Sequence, residues 1–144
     1  MEANQVKAIL RRLYEDGWGK GDLSAIDEAF APTHTLHWNE LVPTDQHRTV
    51  VEVKRIVREY RAAFPDLQVT IHDILVEGDK AAVQVTFVGT HCGTYEGFPP
   101  THQQSRFTDM QILHFMDGKI KESSLASGGL RCFMAILDGS LFTK

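Results

Sequence analysis

Glu77-Gly78-Asp79-Lys80-Ala81-Ala82-Val83-Gln84-Val85-Thr86-Phe87-Val88-Gly89-Thr90-His91-Cys92 is the stretch that decides the fold. From residue 80 to 92 the side chains alternate. Val83, Val85 and Phe87 share one face and Gln84 and Thr86 the other, which is the period of a half-buried strand. Glu77-Gly78-Asp79 reads as a hairpin turn, with a glycine able to take positive φ. Ahead of the turn, Leu67, Val69, Ile71 and Ile74 begin a partner strand. Beyond Cys92, residues 93–102 form a loop with two glycines and two prolines. Residues 104–116 make another strand, Asp117-Gly118 a tight turn, and Lys119 to about Ala126 a last strand. The second half of the chain is thus a meander of long antiparallel strands.

The first half has a different period. Val6, Ile9, Leu10, Leu13 and Tyr14 recur at helical spacing, which predicts an amphipathic helix over 3–18, ended by Gly17, Gly19 and Gly21. Asp22 caps a short second helix carrying Leu23, Ile26 and Phe30, and Ala31-Pro32 stops it, because a residue before proline resists helical geometry. Residues 33–38 read as a short strand, and 39–48 as a polar loop. Val50, Val53, Ile56, Val57, Tyr60 and Phe64 form a third helical stripe, ended by Pro65-Asp66. The plan is α+β: a curved, mostly antiparallel sheet wrapped around N-terminal helices. A sheet curled over helices leaves a cone-shaped cavity, the usual setting for ligand chemistry.

Composition narrows the function classes. A chain of 144 residues, 42% apolar and 24% charged, is one globular domain, 1–144, with room for a core or an internal pocket. Fifteen basic against nineteen acidic residues give a net charge of −4, which argues against a nucleic-acid partner. No apolar run approaches the roughly 20 residues that cross a bilayer, and the N-terminus is polar rather than signal-like, so no membrane partner and a cytoplasmic location are expected. Cys92 and Cys132 define neither a disulfide framework nor a zinc site, and both read as buried small hydrophobes. His34 and His37, three apart on a strand, fall on opposite faces and cannot share a metal, and the other histidines show no ligand spacing. Neither a Gly-rich phosphate cradle nor a nucleophile elbow is present. No cofactor or metal is expected.

Several segments taken in order resemble one family. They are Gly21-Asp22-Leu23 through Phe30-Ala31-Pro32 and on to His37, then Tyr60-Arg61-Ala62-Ala63-Phe64-Pro65-Asp66-Leu67 running into Val69-Thr70-Ile71. Gly89-Thr90-His91-Cys92-Gly93, Gly97-Phe98-Pro99-Pro100-Thr101 and Asp117-Gly118-Lys119-Ile120 continue the series. Over about residues 5–125 the chain resembles the SnoaL-like polyketide cyclases. The resemblance implies a cone-shaped α+β barrel, shared with ketosteroid isomerase and limonene epoxide hydrolase, and frequent dimers or tetramers, of which a homodimer is expected. It also implies ring closure by an aldol step without a cofactor. The chain departs from the family on its last strand. There the family reads Glu-His-Trp with an acid/base Asp four residues on, whereas this chain reads Glu122-Ser123-Ser124-Leu125-Ala126-Ser127-Gly128. Gly128 stands at the Asp position.

The chemistry-bearing residues that remain are few. His114 lies on the penultimate strand where the resemblance implies a pocket histidine, and its ordinary pKa suits proton transfer near neutrality. His37, beside Trp38, matches another family histidine. Asp109 interrupts an apolar strand. Alternation pairs it with Gln111 and Leu113 and sets Met110, Ile112 and His114 on the other face, so a pocket-facing His114 turns Asp109 outward. Facing inward, Asp109 would be a desolvated base. Trp18, Trp38, Tyr60, Phe64, Phe87, Phe98, Met110, Ile112 and Leu125 are candidates to line a site for a small hydrophobic or aromatic ligand. Core packing is the competing account for most of them. Arg55, Asp73 and Arg106 raise the alternative of epoxide opening, a chemistry that needs two carboxylates bridged by an arginine around one water. Small polar residues 123–129 would widen the cavity, and the apolar tail 130–142 would close its mouth or meet another subunit. The readings left open are a cofactor-independent cyclase or isomerase acting on a hydrophobic carbonyl compound, a non-catalytic small-molecule-binding protein, and an epoxide hydrolase.

Overall fold

The computed structural model describes residues 1–38, 45–127 and 129. The apolar tail, Gly128 and the loop 39–44 lie outside them. Helix α1 (Ala3–Arg11) buries Val6 and Leu10 and runs directly into a π-helical segment, Arg12–Trp18. The single helix expected over 3–18 is therefore an α-helix joined to a wider turn, in which the Gly19 amide reaches back to the Tyr14 carbonyl. The wider turn sends Leu13, Tyr14 and Trp18 to one wall. Asp22 caps α2 (Leu23–Ala29), its carboxylate accepting from the Ser24 amide at 3.0 Å. Arg12 ties these pieces together through Asp16, Asp22 and Glu28.

Among the described residues the sheet has six strands: β1 (Phe30–Trp38), β2 (Gln46–Thr49), β3 (Gln68–Glu77), β4 (Lys80–Thr90), β5 (Gln104–Met116) and β6 (Lys119–Ser127). Their order is β2-β1-β6-β5-β4-β3, with β1 and β6 parallel and every other pair antiparallel. The sheet is curved and unclosed, an open cone. β1 begins at Phe30, three residues before the expected start, and Gln46–Thr49 pairs as a strand where a loop was expected. Pro32 is tolerated in β1 because the ladder to β6 shifts between Phe30 and Thr35, where a missing N–H costs no bond.

Two bulges keep the apolar side chains on the concave face. In β3 the inward set changes parity, from Val69 and Ile71 to Ile74 and Val76, and the register with β4 shifts between Ile71 and Asp73. In β6 Ile120 faces in and then Ser123, with the shift between the pairs Phe115–Ile120 and His114–Glu122. The β5–β6 turn sets Asp117 and Gly118 both at positive φ (52° and 79°), as a two-residue hairpin of this twist requires.

Helix α3 (Val50–Ala63) is capped by Thr49, which accepts from the Glu52 amide, and it lays Val53 and Val57 against the core. Phe64 follows it, 1% exposed, and anchors the far end. Burying such a ring contributes about 2–3 kcal/mol. Gly93 lets the next loop approach, since a Cβ there would meet the Ala62 carbonyl oxygen at 3.0 Å. The Cys92 and Gly93 amides both donate to the Ala63 carbonyl. Cys92 is exposed, not buried as expected, because it starts this loop after β4 has ended. Arg61 donates to the Trp18 and Gly19 carbonyls at 2.8 and 2.9 Å and so closes the open end of the π-helical segment. Replacing Arg61 by Met keeps the stem and removes both bonds. We expect a loss of about 1.5–3 kcal/mol in urea unfolding at an unchanged m-value.

Candidate functional site: an aromatic cavity with a buried carboxylate

The cone encloses a cavity of about 690 Å³ between the helices and the concave face of the sheet. Aromatic rings dominate its wall. Trp18 meets Tyr60 and Phe87 edge-on at 6.0 and 5.6 Å, and Phe87 stacks on Phe107 at 5.2 Å. Tyr60 stacks on Phe64, which stacks in turn on the buried ring of His91. Trp18, Tyr60, Phe64, Phe87, Phe98 and Leu125 all line this space. Such a surface accepts a flat, largely apolar ligand.

Asp109 opens onto the cavity from β5. The ladder with β4 fixes this facing: Val85 pairs with Asp109 and Phe87 with Phe107, and Val85 and Phe87 are buried. The orientation is the reverse of the one that would seat His114 in the pocket. Met110 and Ile112, each 56% exposed, lie on the outer face with His114 and are not part of the wall. The coupling between Asp109 and His114 holds, because alternation forbids both from facing one way. Trp38 ends β1 paired with Leu125.

The outward histidines form a separate cluster. His37 Nδ1 lies 2.7 Å from Asp45 Oδ1, and His37 Nε2 lies 3.2 Å from Glu122 Oε1. The other Glu122 oxygen lies 3.6 Å from His114 Nδ1. Asp45 first and Glu122 second hold the His37 imidazolium above its ordinary pKa. The hollow they border, with Lys80 and Ser124, measures about 130 Å³. The three expected acid/base residues are therefore divided between two sides of the sheet. Arg55 pairs with Glu59 on the surface of α3, Asp73 and Arg106 are exposed, and none of the three borders the cavity. Among the described residues no three His, Cys, Asp or Glu side chains gather into a metal-holding group, and no helix is long and apolar enough to cross a membrane.

Asp109 sits in a largely apolar surrounding. Its Oδ1 is sealed from solvent and has no hydrogen-bond partner among the described residues. Burial pushes the carboxyl up to about 6, against one opposing hydrogen bond from Ser127. Tyr14, buried and bordering the same space, has its phenol pushed well above the usual range, first by burial and then by the charge of Asp109. Gln111 is a further polar group on this wall. The signal for Tyr14 and Gln111 was in the sequence: Gln111 shares the parity of Asp109, and Tyr14 sits on the helical stripe. His34 and Arg48 also border the cavity; the sequence analysis weighed His34 only as a metal ligand and left Arg48 in an expected loop.

The displaced pKa has a consequence for stability. Asp109 binds its proton more tightly folded than unfolded, so its contribution is full below about pH 4 and is lost as pH rises through about 6. Asp109→Asn removes a buried charge at neutral pH and nothing at low pH. The variant should melt several degrees higher than the parent at pH 7.5, about 1–2 kcal/mol, and within a degree of it at pH 4. Calorimetry at the two pH values checks this.

Comparison with known proteins agrees with this architecture. The profile of the SnoaL-like polyketide cyclase family matches residues 8–127. No curated protein matches the chain significantly. Among solved structures, a candidate polyketide cyclase from Acidithiobacillus ferrooxidans superposes with a TM-score of 0.77 at 24% identity, over 96% of this chain and 99% of that one. IdmH, a candidate polyketide cyclase from Streptomyces antibioticus, gives 0.74 at 27% identity over 93% and 99%. AclR, a candidate hydroxylase from Streptomyces galilaeus, gives 0.78 at 25% identity over 96% and 83%. With a family match across most of its length and a cone that encloses an aromatic cavity, this chain belongs to the SnoaL-like polyketide cyclase family.

Proposed function

We propose that the protein is a cofactor-independent acid/base enzyme of the cyclase or isomerase type, acting on a hydrophobic carbonyl compound bound in the cone, with Asp109 as its base. The observation that carries this reading is a carboxylate oxygen without a hydrogen-bond partner among the described residues, sealed inside an aromatic cavity. Asp109 takes a proton from the carbon next to a carbonyl. The electron pair moves onto the carbonyl oxygen, and the Tyr14 hydroxyl and Gln111 amide are the donors on this wall for that oxyanion. The enolate carbon then attacks a second carbonyl to form a ring bond, and Asp109 returns its proton to the new alkoxide. Return of the proton to a different carbon gives isomerisation instead. Gly128 at the family's acid/base position leaves this part to Asp109.

A ketone with an acidic α-carbon, 2-tetralone, tests the proposal in D2O by proton NMR. The parent protein should accelerate loss of the α-proton signal. Asp109→Asn should lower the rate about 10²–10⁴-fold while still binding the ketone, and His114→Ala should stay within twofold of the parent. The rate should rise with pH through about 6 and level off above, since the ionised carboxylate is the base. Binding of the ketone with equal exchange in parent and Asp109→Asn would point instead to a non-catalytic binding protein.

The homodimer is part of the same proposal. Met110, Ile112 and Met116 on the outer face of β5 and Leu75 on β3 are all more than half exposed, an apolar strip that supports face-to-face packing of two sheets. Ile112→Glu should convert a dimer into a monomer in light scattering at micromolar concentration. A parent that elutes as a monomer removes the dimer.

A further inference from the structure

The cavity has a second polar pole, formed by one cross-strand pair. His34 on β1 stands opposite Arg48 on β2, and both border the cavity. Directly opposed residues on one face of an antiparallel pair have Cβ atoms about 5 Å apart, so the two side chains act as one unit. His34 is 4% exposed, and its Nδ1 has no hydrogen-bond partner among the described residues. Burial first and the Arg48 charge second bring its pKa down to about 4, so the ring is neutral and can present an N–H at Nδ1. Arg48 receives one oriented bond: its guanidinium donates to Gln46 Oε1 at 2.8 Å. It forms no ion pair with a carboxylate among the described residues, and burial lowers its pKa too. Glu52 is the acidic group that acts on it most, and Glu52 is engaged by Thr49. A cation set in an apolar wall is costly unless an anion completes it.

We propose that His34 and Arg48 are a specificity-determining anchor for a carboxylate carried by the ligand. This rests on the cavity being the ligand site and adds the substrate class: an elongated, flat, largely apolar carboxylic acid whose reacting carbon is remote from the acid group. The remoteness follows from the register. Thr35, next to His34, pairs with Glu122, which pairs with His114, five residues along β5 from Asp109. With two strand spacings, the path between the poles is roughly 20 Å over the sheet surface. A guanidinium fork takes the two carboxylate oxygens, and the His34 N–H adds a third donor. The separation also keeps the ligand's charge away from the Asp109 carboxylate.

Calorimetric titration with 2-naphthoate and with its methyl ester tests this at pH 7.5. The parent should bind the acid at least tenfold more tightly than the ester. Arg48→Met should bring the acid to the level of the ester and leave ester binding within threefold, which also shows that the variant is folded. Arg48→Lys, which keeps the charge, should retain part of the preference. Equal binding of acid and ester by the parent, no binding of the acid, or a preference that survives Arg48→Met would each overturn the anchor. The exchange assay with 2-tetralone, which has no carboxylate, reports on Asp109 separately, so either reading can fail while the other stands.

Discussion

Between β4 and β5 the ladder runs without a shift from Lys80–His114 to Thr90–Gln104, and the rest of the structure depends on that register. A strand alternates, so one fixed pair fixes every facing on both strands. Val83, Val85 and Phe87 are buried, and their partners Gln111, Asp109 and Phe107 must border the same space. A slip of one residue would carry Asp109 into solvent and His114 into the aromatic wall. The bulges at β3 and β6 lie outside this ladder, and they restore an inward apolar face where the parity of those strands changes.

The chemistry follows from what this register encloses. Burial in a low-dielectric space raises carboxyls and phenols and lowers imidazoles and guanidiniums, and the cavity shows these directions at Asp109, Tyr14, His34 and Arg48. A carboxyl near 6 is largely ionised at neutral pH yet still basic, the compromise a proton-transfer residue needs. On the outer face, His37 moves the opposite way because carboxylates flank both ring nitrogens while water screens the group. Histidines and aspartates thus exchange the roles that their ordinary pKa values would assign.

Much of the fold was legible. The period of two in residues 80–92, the glycine turns at 78 and 118 and the helical stripe from Val50 to Phe64 each report a local geometric constraint, and the corresponding elements form. The π-helical turn and β2 were not legible. Both exist because of partners distant in sequence: Arg61 closes the first, and β1 pairs with the second. In the site, the wall was visible as a list of residue types, and six of the eight named members whose side chains are described border the cavity. The facing of β5 stayed open in the sequence for a physical reason. Its outer face carries Met110, Ile112 and Met116, and its inner face carries Ser105, Asp109 and Gln111 alongside Phe107 and Leu113. A strand whose pocket side is polar and whose outer side is apolar inverts the usual pattern.

By itself the sequence determined the α+β plan, the strand meander, the family and the rule that Asp109 and His114 face opposite ways. All of these rest on periodicity, turn chemistry and ordered motifs, which act over a few residues. Only the tertiary structure decided which of the two faces the cavity, and that His34 and Arg48 meet across a strand pair. Period two fixes relative facing and leaves absolute facing to whatever packs against the sheet. Here that is the helical layer of Val6, Leu10, Tyr14, Trp18 and Val57, which covers the Asp109 side and leaves the His114 side to solvent.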